Sequence, residues 1–182
     1  MRVISGTARG KKLISLDGLE TRPTLDRVKE AVFNILQFDI RNAKVLDLFS
    51  GSGALAIEAL SRGATLAILC DNSNKAVEII NKNLEATRLK NKAKVINENY
   101  LSALNQLKKE SKKFDIVFLD PPYKSNYIEK SVKEIIENNL LEDTGIIIAE
   151  TDDKNTIKDI NGIEIYDTRK YGIVHILFIR KG

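Results

Sequence analysis

Residues 43–56 read AKVLDLFSGSGALA, and this stretch decides the fold. Ala43 to Phe49 is a short apolar run of strand length, interrupted by a single acid, Asp47. Gly51, Gly53 and Ala56 then fit the pattern G-x-G-x-x-G/A, and GALAIEALSRG continues as a helix with Gly63 at its C-terminal cap. A strand, a glycine turn and a helix in that order describe the first unit of a nucleotide-binding sheet. The glycines permit close approach of a ligand to the backbone. Asp71 falls 20 residues after Gly51, at the end of the next apolar run, where an acid receives ribose hydroxyls.

Outward from this unit the pattern alternates. TLAILCD, AKVINEN, FDIVFLD and GIIIAE read as further strands. Between them, NKAVEIINKNLEATRL, Tyr100 to about Lys109, and about Ile128 to Asn138 have helical spacing. Ahead of the unit, Pro23-Thr24 marks a helix start with Thr24 as its cap. Val28, Ala31, Val32, Ile35 and Leu36 give that helix one apolar face, to about Phe38. The C-terminal GIEIYDTRKYGIVHILFIRK reads as an antiparallel hairpin turning at Lys170-Tyr171-Gly172. The expectation is an α/β fold: a mostly parallel seven-stranded sheet with helices on both faces, preceded by a small N-terminal β-hairpin arm. Residues 1–23 form that arm and residues 24–182 the main domain.

Composition narrows the class. The chain has 182 residues, 29 basic and 25 acidic, with 43% hydrophobic and 30% charged residues. That excludes a disordered or collagenous chain. Apolar runs fall far short of the roughly 20 residues of a membrane span, and MRVISGTARGKK lacks a signal-peptide core. A soluble cytoplasmic domain without a membrane partner is expected. Cys70 and His175 are the only residues of their types, so one chain can assemble neither a disulfide nor a Cys-His or Ser-His-Asp constellation. Both read as core or sheet residues, and no metal site is expected. Chemistry must run on carboxylates, backbone groups or a bound cofactor.

The charge excess is local. Arg2, Arg9, Lys11 and Lys12 lie in the first 13 residues, which hold no acid, and the remaining 169 residues balance at 25 of each sign. A basic arm on a neutral body suits a polyanion. Asp47 bears on the ligand. At about 4 Å, a like charge would cost about 4 kcal/mol at an effective dielectric near 20, so a pyrophosphate is disfavoured beside it. An ammonium or sulfonium ligand such as S-adenosylmethionine is favoured. The fourth strand ends in DPPY: Asp120, Pro121, Pro122 and Tyr123. Asp120 and the Pro121 carbonyl are placed to accept the two N–H bonds of an exocyclic amine, and Tyr123 to stack on the base that carries it.

DLFSGSG with DPPY about 70 residues later resembles the class I S-adenosylmethionine-dependent amino-methyltransferases. RVISGTARGKKL, TRPTLDRVKEAVFNIL, LDLFSGSGALAIEALSRGA, FDIVFLDPPY and YGIVHILF together resemble the RsmD-type 16S ribosomal RNA guanine-N2 methyltransferases over nearly the whole chain. The resemblance implies a Rossmann-like class I methyltransferase fold and S-adenosylmethionine as cofactor. Asp47, Phe49, Ser50, Gly51 and Gly53 would line the cofactor's methionine end, Asp71 would hold its ribose, and Asn72, Asn99 and Tyr100 would lie nearby. Arg22, Thr24 and Arg27 would close over the cofactor and substrate side. Arg9, Lys11 and Lys12 would grip 16S rRNA, free or within the 30S subunit. Asn99 stands where the class usually has an acid, and its amide oxygen can still accept from an adenine amine. DPPY also suits adenine N6, cytosine N4 or a glutamine amide, so transfer to DNA or protein is the nearest rival reading. A non-catalytic dinucleotide- or RNA-binding module is the other.

Overall fold

In the computed structural model, Val45 and Leu46 are fully buried in the first strand, β1 (Lys44–Asp47). The structure describes residues 1–16, 23–122, 126–153, 155–157 and 160–182, and for residues 23–25 the backbone alone. Beside β1 lie β2 (Leu66–Cys70), β3 (Ala93–Ile96), β4 (Phe114–Leu119) and β5 (Leu141–Thr151), all parallel. The sheet ends in an antiparallel pair, β6 (Ile163–Tyr171) and β7 (Val174–Lys181), turning at Gly172 and Ile173. The strand order is β3-β2-β1-β4-β5-β7-β6, because β7 inserts beside β5. The chain moves outward from β1 through β2 to β3, then crosses back to β4. The order therefore reverses between β1 and β4, where ligands of open α/β sheets bind.

Helices cover both faces, and for that reason the inner strands are apolar throughout instead of alternating. Val32 of α1 (Pro23–Ile35), Ile57 and Leu60 of α2 (Ala54–Ser61) and Ile80 and Leu84 of α3 (Asn74–Thr87) share one core with Val45, Phe118 and Phe178. Leu104 and Leu107 of α4 (Tyr100–Lys109) and Val132 and Ile135 of α5 (Tyr127–Glu137) share the other with Leu46, Val117 and Leu177. Cys70 is a fully buried member of this second core. Burial pushes its thiol up, so it is chemically quiet. Half-buried His175 sits in β7 opposite Thr151.

Two boundaries differ from expectation. α1 begins at Pro23, so Thr24 lies in its first turn instead of capping it. α1 ends at Ile35, short of Phe38. The Asp39 N–H donates to the Leu36 carbonyl at 2.9 Å, a turn that buries Ile40 and leaves Phe38 87% exposed.

The N-terminal arm is tied down. Instead of a full hairpin it makes one antiparallel bridge, Arg2 to Lys12. Val3, Ala8 and Leu13 are buried in the α1–α2–α3 core, and several backbone N–H groups of the arm bond to helix side chains. Ile4 N–H and Ser5 N–H donate to the Glu58 carboxylate at 2.8 and 3.0 Å. Ala8 N–H donates to Ser61 Oγ at 2.9 Å. Gly6 has φ +84°, and a Cβ there would lie 1.8 Å from the Ser61 carbonyl oxygen, so only glycine allows this docking. Farther along, Ile14 N–H donates to Asn83 Oδ1 while Asn83 Nδ2 donates to the carbonyls of Ile14 and Ser52. One buried amide thus joins the arm, α3 and the glycine loop.

Candidate active site

At the switch point, above the carboxyl ends of β1, β4 and β5, is a cavity of about 240 Å³. Asp47, Phe49, Ser50, Gly51, Asp120 and Glu150 line it, as do Val28 and Lys29 of α1. Parallel register sets this arrangement. Asp47 pairs with Phe118, and Leu119 pairs with Ala149, so the residues that follow on β4 and β5 emerge together at the strand ends.

The glycine loop is held from several sides. Ser50 Oγ donates to the Asp47 carbonyl at 2.7 Å, and Gly53 N–H donates to the Ser50 carbonyl at 2.7 Å. Gly53 also has a packing role. Its φ is +78°, and a Cβ there would meet Leu69 Cδ2 at 3.0 Å and Ile80 Cγ1 at 3.4 Å. Gly53 serves the close seating of α2 on the sheet, whereas Gly51 lines the cavity. Asp71 is likewise engaged from below. Its carboxylate accepts from Gly51 N–H at 2.9 Å and Ser73 N–H at 2.9 Å, fixing its orientation while leaving lone pairs outward.

Asp47 is 1% exposed. Its Oδ2 accepts from Ala56 N–H at 3.3 Å, but its Oδ1 is buried without a hydrogen-bond partner. Burial above all, with the Asp71 charge adding, pushes the carboxyl up to about 7 against the helix N–H that favours the anion. A buried acceptor lacking a donor on a cavity wall is suited to a cationic ligand. The linkage has a definite sign. The native acid holds its proton between pH 3.8 and 7 while the unfolded acid does not, so stability falls as pH rises through that window. The full contribution is on the order of 4 kcal/mol. Asp47→Asn should therefore raise the thermal midpoint at pH 8 relative to wild type, with little change at pH 4.5, and should abolish binding of a cationic ligand. Denaturation scans at the two pH values check this; a variant destabilised equally at both contradicts it.

Asp120 is exposed at the end of β4, and the acids Glu150 and Asp47 line the same cavity. Burial, then the charges of Glu150 and Asp47, push its carboxyl well above the ordinary value. Pro121 is buried next to it and Pro122 is exposed. Tyr123 and Arg22 lie outside the described residues, as does the side chain of Thr24. Arg27 is exposed on α1, and Arg9, Lys11 and Lys12 are exposed on the arm.

The other predicted cofactor residues lie beyond the cavity, on the β2 and β3 side. Asn72 and Asn99 are exposed. Asn99 caps α4, accepting from Ser102 N–H at 3.0 Å, so its amide oxygen already has one donor. Tyr100 connects this side to the cavity. Its ring lies 5.6 Å from Phe49 and 5.1 Å from Tyr127, and Tyr127 stacks on Phe49 at 6.1 Å with 9° between planes. Three strand-end loops thus bring an aromatic platform to the rim. Tyr127 was missed in the sequence, as were Glu150 and the buried Lys29–Glu58–Arg62 cluster. Glu58 had left a signal, an acid in the otherwise apolar ALAIEALS.

Among known proteins, the chain matches the family described as Conserved hypothetical protein 95 over residues 1–180. It is 38% identical to YlbH of Bacillus subtilis, described as an rRNA methyltransferase, over 100% of this chain and 99% of that one. It is 38% identical to the ribosomal RNA small subunit methyltransferase D of Escherichia coli, covering 88% of this chain and 79% of the relative. The solved structure of Escherichia coli yhhF, described as a methyltransferase, superposes with a TM-score of 0.86 at 34% identity, covering 100% of this chain and 97% of the other. With a family model matching residues 1–180 and relatives 38–39% identical over most or all of its length, the chain belongs to the RsmD-type ribosomal RNA small-subunit methyltransferases, and is an enzyme.

Proposed function

We propose that the chain transfers a methyl group from S-adenosylmethionine to the exocyclic N2 amine of a specific guanine in 16S ribosomal RNA, within the 30S subunit or an assembly intermediate. The observation that carries this is the cavity at the β1–β4 switch point, where the unpartnered Asp47 Oδ1 and the Asp120 carboxyl share one wall. The residues fit the cofactor: Asp47 lacks a donor that an ammonium would supply, and Asp71 keeps acceptor capacity for ribose hydroxyls. When bound, S-adenosylmethionine supplies a methyl group on a sulfonium, already activated by its leaving group.

The work left to the chain is binding and orientation. An exocyclic amine is a weak nucleophile because its lone pair is delocalised into the ring. Asp120 and the Pro121 carbonyl accept its two N–H bonds, turning that lone pair out of the ring plane toward the donor. Asp120 accepts more strongly when ionised, and once protonated one of its oxygens becomes a donor, so transfer declines as pH falls through its raised titration. Phe49 and Tyr127 offer flat faces at the rim on which an unstacked base can rest, each such contact worth about 1–3 kcal/mol. The exposed Arg2, Arg9, Lys11 and Lys12, on an arm fixed to α2, present a rigid basic edge to RNA phosphates.

Mass-spectrometric mapping of 16S rRNA nucleosides from cells with and without the gene tests this reading. One N2-methylguanosine should vanish with the gene. An unchanged 16S profile, with a methylated base lost from DNA or a methylated glutamine lost from protein, would overturn it.

A further inference from the structure

Ile173 is 80% exposed, and apart from Phe38 no large apolar residue among those described is so open to solvent. The two differ in where they stand. Phe38 lies in the turn that leads into the amino end of β1, at the far end of the sheet from the cavity. Ile173 lies at the cavity end. β7 pairs antiparallel with β5, Glu150 opposite Ile176 and Thr151 opposite His175, so the chain before His175 runs on past the carboxyl end of β5. Ile176 lines the cavity. Ile173 is three residues nearer the tip, about 10 Å farther out at roughly 3.3 Å per residue.

The tip is held firmly. The β6–β7 ladder continues to its last pair, Tyr171 and Val174, and both of these pack against the core under α1. Gly172 and Ile173 alone make the turn, and Gly172 has φ +64°, which glycine adopts freely. A Cβ on Gly172 would meet nothing within 4 Å, so the turn stands clear of the protein around it. Charge does not account for the exposed side chain. Lys170 is exposed beside it, but the exposed Asp152 and Asp153 follow β5 directly, so this edge is no basic patch. What it offers is one apolar side chain on a rigid support, at the rim of the site.

A guanine amine reaches Asp120 in that cavity only after its base has left the stack of its neighbours. The vacated place costs stacking energy unless something fills it. Proteins that open a base stack do so with apolar wedges, isoleucine among them. We propose that Ile173 is such a wedge, packing against the base beside the target guanosine once the target has swung into the cavity. This rests on the RNA reading given above and goes beyond it, assigning the hold on the opened RNA to the C-terminal hairpin as well as to the basic arm.

The test uses undermethylated small subunits, and subunits reconstituted with fluorescent 2-aminopurine next to the mapped target guanosine. Ile173→Ser should lower kcat/KM on the order of tenfold. Its thermal midpoint and donor affinity should not change, because the side chain is exposed and outside the cavity lining. Ile173→Leu, which keeps the apolar volume, should recover most of the loss, and Phe38→Ser should transfer as wild type does. Binding of the wild-type enzyme should raise 2-aminopurine fluorescence as the target leaves the stack. Saturating Ile173→Ser should leave it near the level of the free subunit. Wild-type transfer by Ile173→Ser, a full fluorescence rise with it, or an equal loss in Phe38→Ser overturns the assignment. A wild-type enzyme that binds the donor but methylates no guanosine in these subunits refutes the RNA reading instead, and this inference with it.

Discussion

Asp120→Ala should lower methyl transfer by about 10³-fold while leaving donor affinity within about threefold of wild type. The separation follows from geometry. Asp47 and the glycine loop, not Asp120, offer the acceptors for the donor's cationic end. Asp120 lies one strand over, next to Glu150. Its removal also relieves carboxylate repulsion, because the charges of Glu150 and Asp47 already push its carboxyl up. The variant should therefore fold at least as stably as wild type. Asp120→Asn should be intermediate, since its oxygen accepts one N–H while its NH₂ opposes the amine. Single-turnover transfer paired with calorimetry checks both halves; loss of donor binding together with transfer would assign Asp120 to the cofactor instead.

The second large effect is on stability. Glu58 is fully buried in α2 and accepts from Ile4 N–H, Ser5 N–H and Arg62 Nε, the last at 2.7 Å, with Lys29 beside it. Burial lowers the Lys29 ammonium's affinity for its proton, and the Glu58 charge opposes that fall. Removing the acid leaves two backbone donors without their acceptor and strips Lys29 and Arg62 of their counter-charge in a largely buried place. Glu58→Ala should cost about 3–5 kcal/mol, a drop in thermal midpoint on the order of 10 °C for a chain this long. Because the arm hangs on this acid, amide exchange in residues 3–13 should speed up more than in β1. A midpoint within about 2 °C of wild type would show that the cluster holds nothing together.

Most of the sheet was legible because its strands are apolar runs separated by helices of clear period, and because AKVLDLFSGSGALA marks the strand whose neighbour reverses the chain's direction. Asp47 and Asp120 were legible for a related reason: each is an acid directly following an apolar strand. How the arm is anchored was not legible, because charge counting sees Arg9, Lys11 and Lys12 but not Val3, Ala8 and Leu13 going into the core. The packing role of Gly53 was not legible, because a glycine pattern does not say which side of the loop is crowded. Glu150 and Tyr127 carry no local signature. Their positions follow from the register between β4 and β5 and from the start of α5, both tertiary facts. Asn83 likewise becomes meaningful only once the arm passes over α3.

The most direct test of the central claim is transfer of a labelled methyl group from S-adenosylmethionine, offered in parallel to undermethylated 30S subunits, naked DNA and a release factor. The account predicts label in 16S RNA alone, recovered after digestion as N2-methylguanosine. Label entering only DNA or protein, or none entering RNA from an enzyme that binds the donor, would contradict it.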